Sequence, residues 1–441
     1  MYASNDVVIL RDRTRRDRFL RSSRPSRSPR PSRSPGGPGS RGSPGAFVDE
    51  PVLRRFEREG VIALPDEPPE PAVSVERADR AVVRDALADE TVVAVAEAMP
   101  VSLVRLVAAD LLGSSEAASG DPLADARREG VTWGLRACGA DRALVDGAGT
   151  TVAVLDTGID ADHEAFADTN LQIVRRNFTQ EGDDDTDGHG THCAGTIFGR
   201  PVEGVRIGVA PGLRKALVAK VIGAGGSSGA LVRAMNWAVD EGADVISMSL
   251  AFDFVRLQRD LAAQGVPAPA ATSMALHAFR NNVRLFDEWM ALNAARAQFG
   301  QGAVVVAAAG NESRRGAATP FEIATASPAA GIGVVSVGAL ARGDAGLAVA
   351  SFSNTGPRVS GPGVGVVSAR AGGGLLALNG TSMACPHVAG IAALVIDDLR
   401  GAHRPVRPDR VAAELIAKAR TDALAPGIDF TDVGSGIAQA P

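Results

Sequence analysis

The sequence predicts an α/β protein. A three-layer, doubly wound, mostly parallel sheet is preceded by a small α+β unit and a disordered N-terminal tail. Three observations carry this. From about Trp133 onward, short apolar runs alternate with helical segments, the pattern of a parallel sheet covered on both faces. The chain has 441 residues, 45% of them apolar and only 4% aromatic, so a large core is available and must be built mainly from Ala, Val, Leu and Ile. The first 46 residues include "RSSRPSRSPRPSRSPGGPGSRGSPG", low-complexity Arg/Ser/Pro/Gly with nothing to pack.

Taken in order, residues 1–46 form the tail, with eleven arginines against Asp6, Asp12 and Asp17, a local charge of +8. A solvated tail is expected there, with a nucleic-acid-binding arm as the sharper alternative. Residues 47–124 hold the α+β unit: a short strand from about Ala72, a helix near Ala78–Leu87 and a strand at Thr91–Ala96. Residues 125–441 hold the main domain. Its strands are "GTTVAVLD", "LRKALVAKVIG", "DVISMSL", "GAVVVAAAGN" and "GVVSVGAL", with the helical "GALVRAMNWAVDEGA" between the second and third. A long helical insertion fills about 252–299.

Composition sets limits. The net charge of −5 gives no whole-chain case for nucleic-acid binding. Cys138, Cys193 and Cys385 cannot all pair and fall in no zinc-ligand spacing, so they read as reduced thiols. No apolar run of membrane-spanning length stands out, and no apolar segment backs the N-terminal arginines. A cytoplasmic protein is expected on this basis, with secretion as the alternative.

Chemistry in an open parallel sheet collects where strands end. Asp156 ends "TVAVLD", Ser249 closes "DVISMS" and Asn311 follows "VVVAAAG". Ser382 lies where a helix apolar almost all round begins. There, unpaired N–H groups and the positive end of the dipole favour a developing oxyanion. Pro386 removes only the helix bond to the Ser382 carbonyl. A serine needs a base and a group to orient that base. The histidines are His163, His189, His192, His277, His387 and His403. His189 sits between Gly188 and Gly190, and Asp156 is the best-placed carboxylate. Cys385 and His387 fall further into the helix.

"AVLDTGID" (153–160), "DGHGTHCAGTI" (187–197) and "NGTSMACPHVAG" (379–390) resemble the three signature blocks of the subtilisin-like serine peptidases, in that family's order. The catalytic positions stand 33 and 193 residues apart. The resemblance covers about 125–441. It implies a serine endopeptidase working through an acyl-enzyme, with Asp156, His189 and Ser382 as triad and Asn311 with the Ser382 N–H as oxyanion hole. It implies substrate strands on Gly225, Gly226 and Ser227 and on Ser249, Leu250 and Ala251, and a pocket wall at Ala308, Ala309 and Gly310. It implies that the α+β unit is a propeptide and an intramolecular inhibitor, cut between about Leu106 and Thr132, and that the partners are peptides or proteins, with no membrane. The chemistry needs no cofactor and no catalytic metal. The acidic "EGDDDTD" at 181–187 reads first as a solvated loop, with a Ca²⁺ site held by several carboxylates as the sharper alternative. Ala251 stands where the family often has glycine. A catalytically silent, autoinhibited peptide-binding protein on the same fold is the alternative function.

Overall fold

The computed structural model describes residues 6–15, 67–104, 107 and 120–441. The proposed nucleic-acid arm and the rest of the Arg/Ser/Pro-rich segment lie outside the described residues. The beginning of the expected tail does not behave as a tail. Asp6–Asp12 is a strand, β1, and the central one of a three-stranded antiparallel sheet. Its partners are β2 (Pro71–Arg77) and β3 (Val92–Glu97), with helix α1 (Arg80–Ala88) between them in sequence. The reason is the run "VVIL", whose side chains alternate. Val7 and Ile9 pack with Ala86 of α1, while Val8 and Leu10 enter the core shared with the main domain. The arginine-rich stretch begins only after this run.

After β3 the chain extends into β4 (Val101–Leu103). Helices α2 (Pro122–Glu129) and α3 (Trp133–Ala137) lead into the main domain. The large sheet then takes β5 (Thr151–Asp156), β6 (Gln172–Asn177), β7 (Lys215–Lys220), β8 (Val245–Met248), β10 (Val304–Ala308) and β11 (Val335–Gly343). Their order is β6–β7–β5–β8–β10–β11, parallel throughout, and β11 also pairs with antiparallel β12 (Gly346–Val349) and parallel β13 (Val359–Pro362). The short β9 (Leu250–Phe252) follows β8 directly, and β14 (Val366–Ala369) pairs with β15 (Leu375–Leu378). The expected doubly wound sheet is present.

Alternate residues of each strand feed opposite layers. Val152, Val154, Ala216, Val218 and Val306 face one core, and Ala153, Leu155, Leu217 and Val305 face the other. On the first side pack α4 (His189–Phe198), and later α8 (Thr381–Gly401) and α9 (Pro408–Ala417). On the second lie α5 (Ser228–Asp240), α6 (Phe254–Ala263) and α7 (Ala268–Ala297), the last two forming the insertion. Helix α8 is long and apolar enough to cross a membrane, but 89% of that apolar window is buried inside the domain, where it serves as the core helix.

Candidate active site

Strand β5 ends at Asp156 and α4 begins at His189, so both side chains arrive from rigid elements. His189 Nδ1 donates to Asp156 Oδ1 at 2.7 Å, in full burial. That bond fixes the tautomer and leaves the Nε2 lone pair as the basic atom. Nε2 is buried and has no hydrogen-bond partner among the described residues. Burial, the largest single influence, pushes the His189 pKa down, while the Asp156 carboxylate and then Cys193 push it up, and the balance holds the imidazole well above its ordinary value. Burial also raises the pKa of the neighbouring Cys193 thiol.

Asp185 ties the two elements together. Its Oδ1 accepts from Thr157 Oγ1 (2.8 Å) and Gly188 N (2.9 Å), and its Oδ2 from Thr191 N (2.8 Å) and Thr191 Oγ1 (2.6 Å). Thr157 Oγ1 in turn accepts from Gly190 N, and Thr157 N donates to Asp156 Oδ1. Helix α4 has no side-chain cap of its own on Gly188, so Asp185 supplies one and locks the strand end to the helix start. Gly190 has to be glycine, because a Cβ there would lie 2.2 Å from the Gly158 carbonyl oxygen.

Ser382 stands in the first turn of α8, fully buried. The preceding Gly380 carries φ 158°, and a Cβ on it would lie 2.9 Å from Ser382 Oγ and 3.0 Å from Asn311 Nδ2. The nucleophile and the oxyanion amide therefore converge over a position that only glycine can fill. Asn311 Oδ1 accepts from Thr381 N and Thr381 Oγ1, both at 2.8 Å, which fixes the amide with its Nδ2 as the donor end. Pro386 deprives the Ser382 carbonyl of its helix partner. The replacements are Ser249 Oγ at 3.1 Å and Cys193 Sγ at 3.5 Å.

The cleft is filled by the chain itself. Strand β4 pairs antiparallel with β9, Ser102 opposite Ala251 and Leu103 opposite Leu250. Pro100 forms a bridge with Ser227, and Val104 N donates to the Ser249 carbonyl at 3.3 Å. Ser382 Oγ donates to the Val104 carbonyl at 3.3 Å. Beyond it, Val107 is held from both sides by Asn379, whose carbonyl accepts Val107 N and whose Nδ2 donates to Val107 O.

Ser227, Ser249, Leu250 and Ala251 thus all flank the bound strand. Gly225 and Gly226 form the turn leading to Ser227. Ala308, Ala309 and Gly310 run behind Asn311, where Asn354 Nδ2 donates to the Ala309 carbonyl and Thr381 Oγ1 accepts from Gly310 N. His192 and His387 do no chemistry. His192 Nε2 bonds the carbonyls of Val366 and Leu376, and His387 Nδ1 bonds the Met383 carbonyl; burial lowers their pKa values to about 3 and about 4. Cys385 contacts Ser247, Met248 and Val306, so Cys193 is the thiol that borders the triad.

The acidic loop does not fit Ca²⁺. Both oxygens of Asp185 are committed to N–H and O–H donors. Lys220 Nζ donates to the Asp184 carbonyl at 2.7 Å and lies 3.6 Å from Glu181 Oε2. An ammonium already occupies the place among these oxygens that a cation would take. Asp156, His189 and Cys193 gather their ligand atoms within 4.8 Å, but the Asp156–His189 hydrogen bond and the protonated Cys193 thiol do not make a metal-ligand set.

A family model described as "Subtilase family" matches residues 147–436. The chain belongs to the subtilase family. Similar subtilases include a protein named cuticle-degrading serine protease of Arthrobotrys oligospora, 34% identical over 284 residues. Another of that name, from Orbilia oligospora, is 35% identical over 269 residues. Subtilisin-like protease 1 of Trichophyton rubrum is 34% identical over 279 residues. The matched stretches cover 62%, 59% and 60% of this chain and 58%, 52% and 46% of those relatives. The chain thus spans about half the length of the curated relatives it matches. These relatives overturn the cytoplasmic expectation: a protease named for degrading cuticle points to secretion. The cysteines that suggested a reducing compartment are free and buried, a packing fact that carries no information on compartment.

Sequence reasoning missed Asp185, Thr157 and Thr191, the partners of the Ser382 carbonyl, and Asn379. Asp185 had a readable signal, an acceptor three residues before the glycine that opens α4. The others depend on contacts between segments remote in sequence.

Proposed function

We propose that the protein is a serine endopeptidase that cleaves peptide bonds through an acyl-enzyme, and that its first substrate is its own Val104–Arg105 bond. The observation that carries this reading is the Ser382 hydroxyl at 3.3 Å from the Val104 carbonyl oxygen, on a strand paired with β9. The cut lies two residues before the range expected from sequence, because the pairing register brings Val104 to the nucleophile.

The Ser382 oxygen attacks the Val104 carbonyl carbon while His189 Nε2 takes the hydroxyl proton. Asp156 orients the imidazole and stabilises the imidazolium. Asn311 Nδ2 and the Ser382 N–H receive the negative charge that develops on the carbonyl oxygen. The C–N bond breaks, and His189 returns its proton to the amine of Arg105. Water, activated by the same imidazole, then hydrolyses the ester. No step needs a cofactor. Residues 6–15 and 67–104 act as an intramolecular inhibitor by filling the cleft, and the substrates in trans are extended peptides that pair with β9.

The test uses the full chain. Intact mass and N-terminal sequencing should reveal a species beginning at Arg105 in the wild type and none in Ser382→Ala. A fluorophosphonate probe should label the processed form. Wild-type labelling no stronger than that of Ser382→Ala would favour a silent peptide-binding protein instead.

A further inference from the structure

The insertion extends the cleft beyond the strand that pairs with β9. Phe279 of α7 packs edge-on against Phe252 of β9 (6.5 Å between centroids, 86°) and Phe254 (6.1 Å, 74°). The helix is therefore keyed to the substrate strand itself. Upstream of β4 the bound chain stays held at almost every residue. Met99 N donates to Ser228 Oγ at 3.1 Å, and Ser228 N donates to the Met99 carbonyl at 2.9 Å. Glu97, eighth residue before the Val104–Arg105 bond, then meets α7 at three points. Its carbonyl accepts from the buried Asn282 Nδ2 at 2.7 Å, and its Oε2 from Asn281 Nδ2 at 3.1 Å. Its Oε1 lies 3.8 Å from His277 Nε2, with Arg280 Nη2 backing that imidazole at 3.2 Å from Nδ1. His277 and Asn281 are four residues apart and so share one face of the helix.

We infer that α7 is an exosite: it continues the substrate cleft to the eighth residue before the scissile bond and selects an acidic side chain there. The Asn282 contact is made to backbone and holds any sequence. The Asn281 and His277 contacts are made to the carboxylate and supply the selectivity. The occupant in cis is Glu97. In trans it is an extended peptide with a carboxylate at the same distance from the bond that is cut. This rests on Val104–Arg105 being the scissile bond. Because His277 and Glu97 are each about half exposed, the effect of these contacts is modest.

The test compares two synthetic peptides spanning residues 95–108, one with the natural Glu97 and one with Gln in its place, as substrates of the self-processed enzyme. The Gln peptide should show a KM about three- to fivefold higher at unchanged kcat, the size expected of half-exposed polar contacts to a carboxylate. The difference should vanish in His277→Ala/Asn281→Ala. A shorter peptide spanning 100–108 should be cut equally by both enzymes, which shows that the variant is folded. Equal KM values for the two long peptides, with cleavage at Val104–Arg105, would overturn the exosite and leave the peptidase reading intact. Cleavage of neither peptide would overturn both.

Discussion

His189 carries two opposing influences, and their balance has a kinetic consequence. Burial disfavours the imidazolium, the Asp156 carboxylate 2.7 Å away and the neighbouring Cys193 favour it, and the balance raises the pKa. Attack by Ser382 needs the unprotonated imidazole, and a raised pKa means that this form dominates only at higher pH. The acid limb of kcat, which reports the filled cleft, should therefore lie above pH 6.5, with activity lost as pH falls through it. Asp156→Asn should lower kcat on the order of 10⁴-fold, as the same change does in other serine proteases. A kcat profile of the wild type with its limb at or below 6.5 would count against this balance. At this scale Asp156, His189 and Ser382 could be picked out as candidates because three blocks carry them within a few residues each. Asp185 was not, because "EGDDDTD" reads as solvated charge until the fold brings Thr157 and Thr191 to one of its carboxylates.

Among the elements, α8 shows how a breach in a helix is closed from outside. Pro386 was visible in the sequence, and so was the carbonyl it would free. The donors that replace it come from two other segments, Ser249 Oγ and Cys193 Sγ, and no periodicity announces them. Ser249→Ala leaves that buried carbonyl with only a weak thiol donor. Thermal unfolding should register a loss of about 1–2 kcal/mol. The KM for a short peptide should hardly change, since Ser249 receives the substrate through its backbone oxygen. No loss of stability would mean that the carbonyl finds another partner. Strands β5, β7, β8, β10 and β11 were legible for a different reason: each is an apolar run whose alternate residues serve two cores, whereas β6, mostly polar and largely exposed, was missed. The insertion was legible as helix, but the strand it would grip was not.

For the whole molecule, the main error of sequence reasoning was to assign β1 to a tail. Its 7 residues of ordinary strand were outweighed by the arginines that follow them, and pairing with strands so remote in sequence leaves no local mark. Leu10 and Val8 reach the same core as Trp289 of α7, so the N-terminal strand bonds the small unit internally and docks it on the main domain. The strands it joins run antiparallel, with Asp12 opposite Pro71 and Arg13 N bonded to the Glu70 carbonyl at 3.0 Å. In connectivity, β1 and β2 are thus the arms of a hairpin whose ends already meet at Arg13 and Glu70. Chain entropy for closing such a turn grows only with the logarithm of its length, about 0.6 kcal/mol per doubling. Replacing residues 16–66 with a four-residue turn should then stabilise the unit by about 1.5 kcal/mol and slow the appearance of activity. Removing residues 1–15 should hasten it, even though far less chain is lost. Timing the onset of peptide cleavage in the two variants separates these outcomes, and the reverse order would mean that β1 is dispensable.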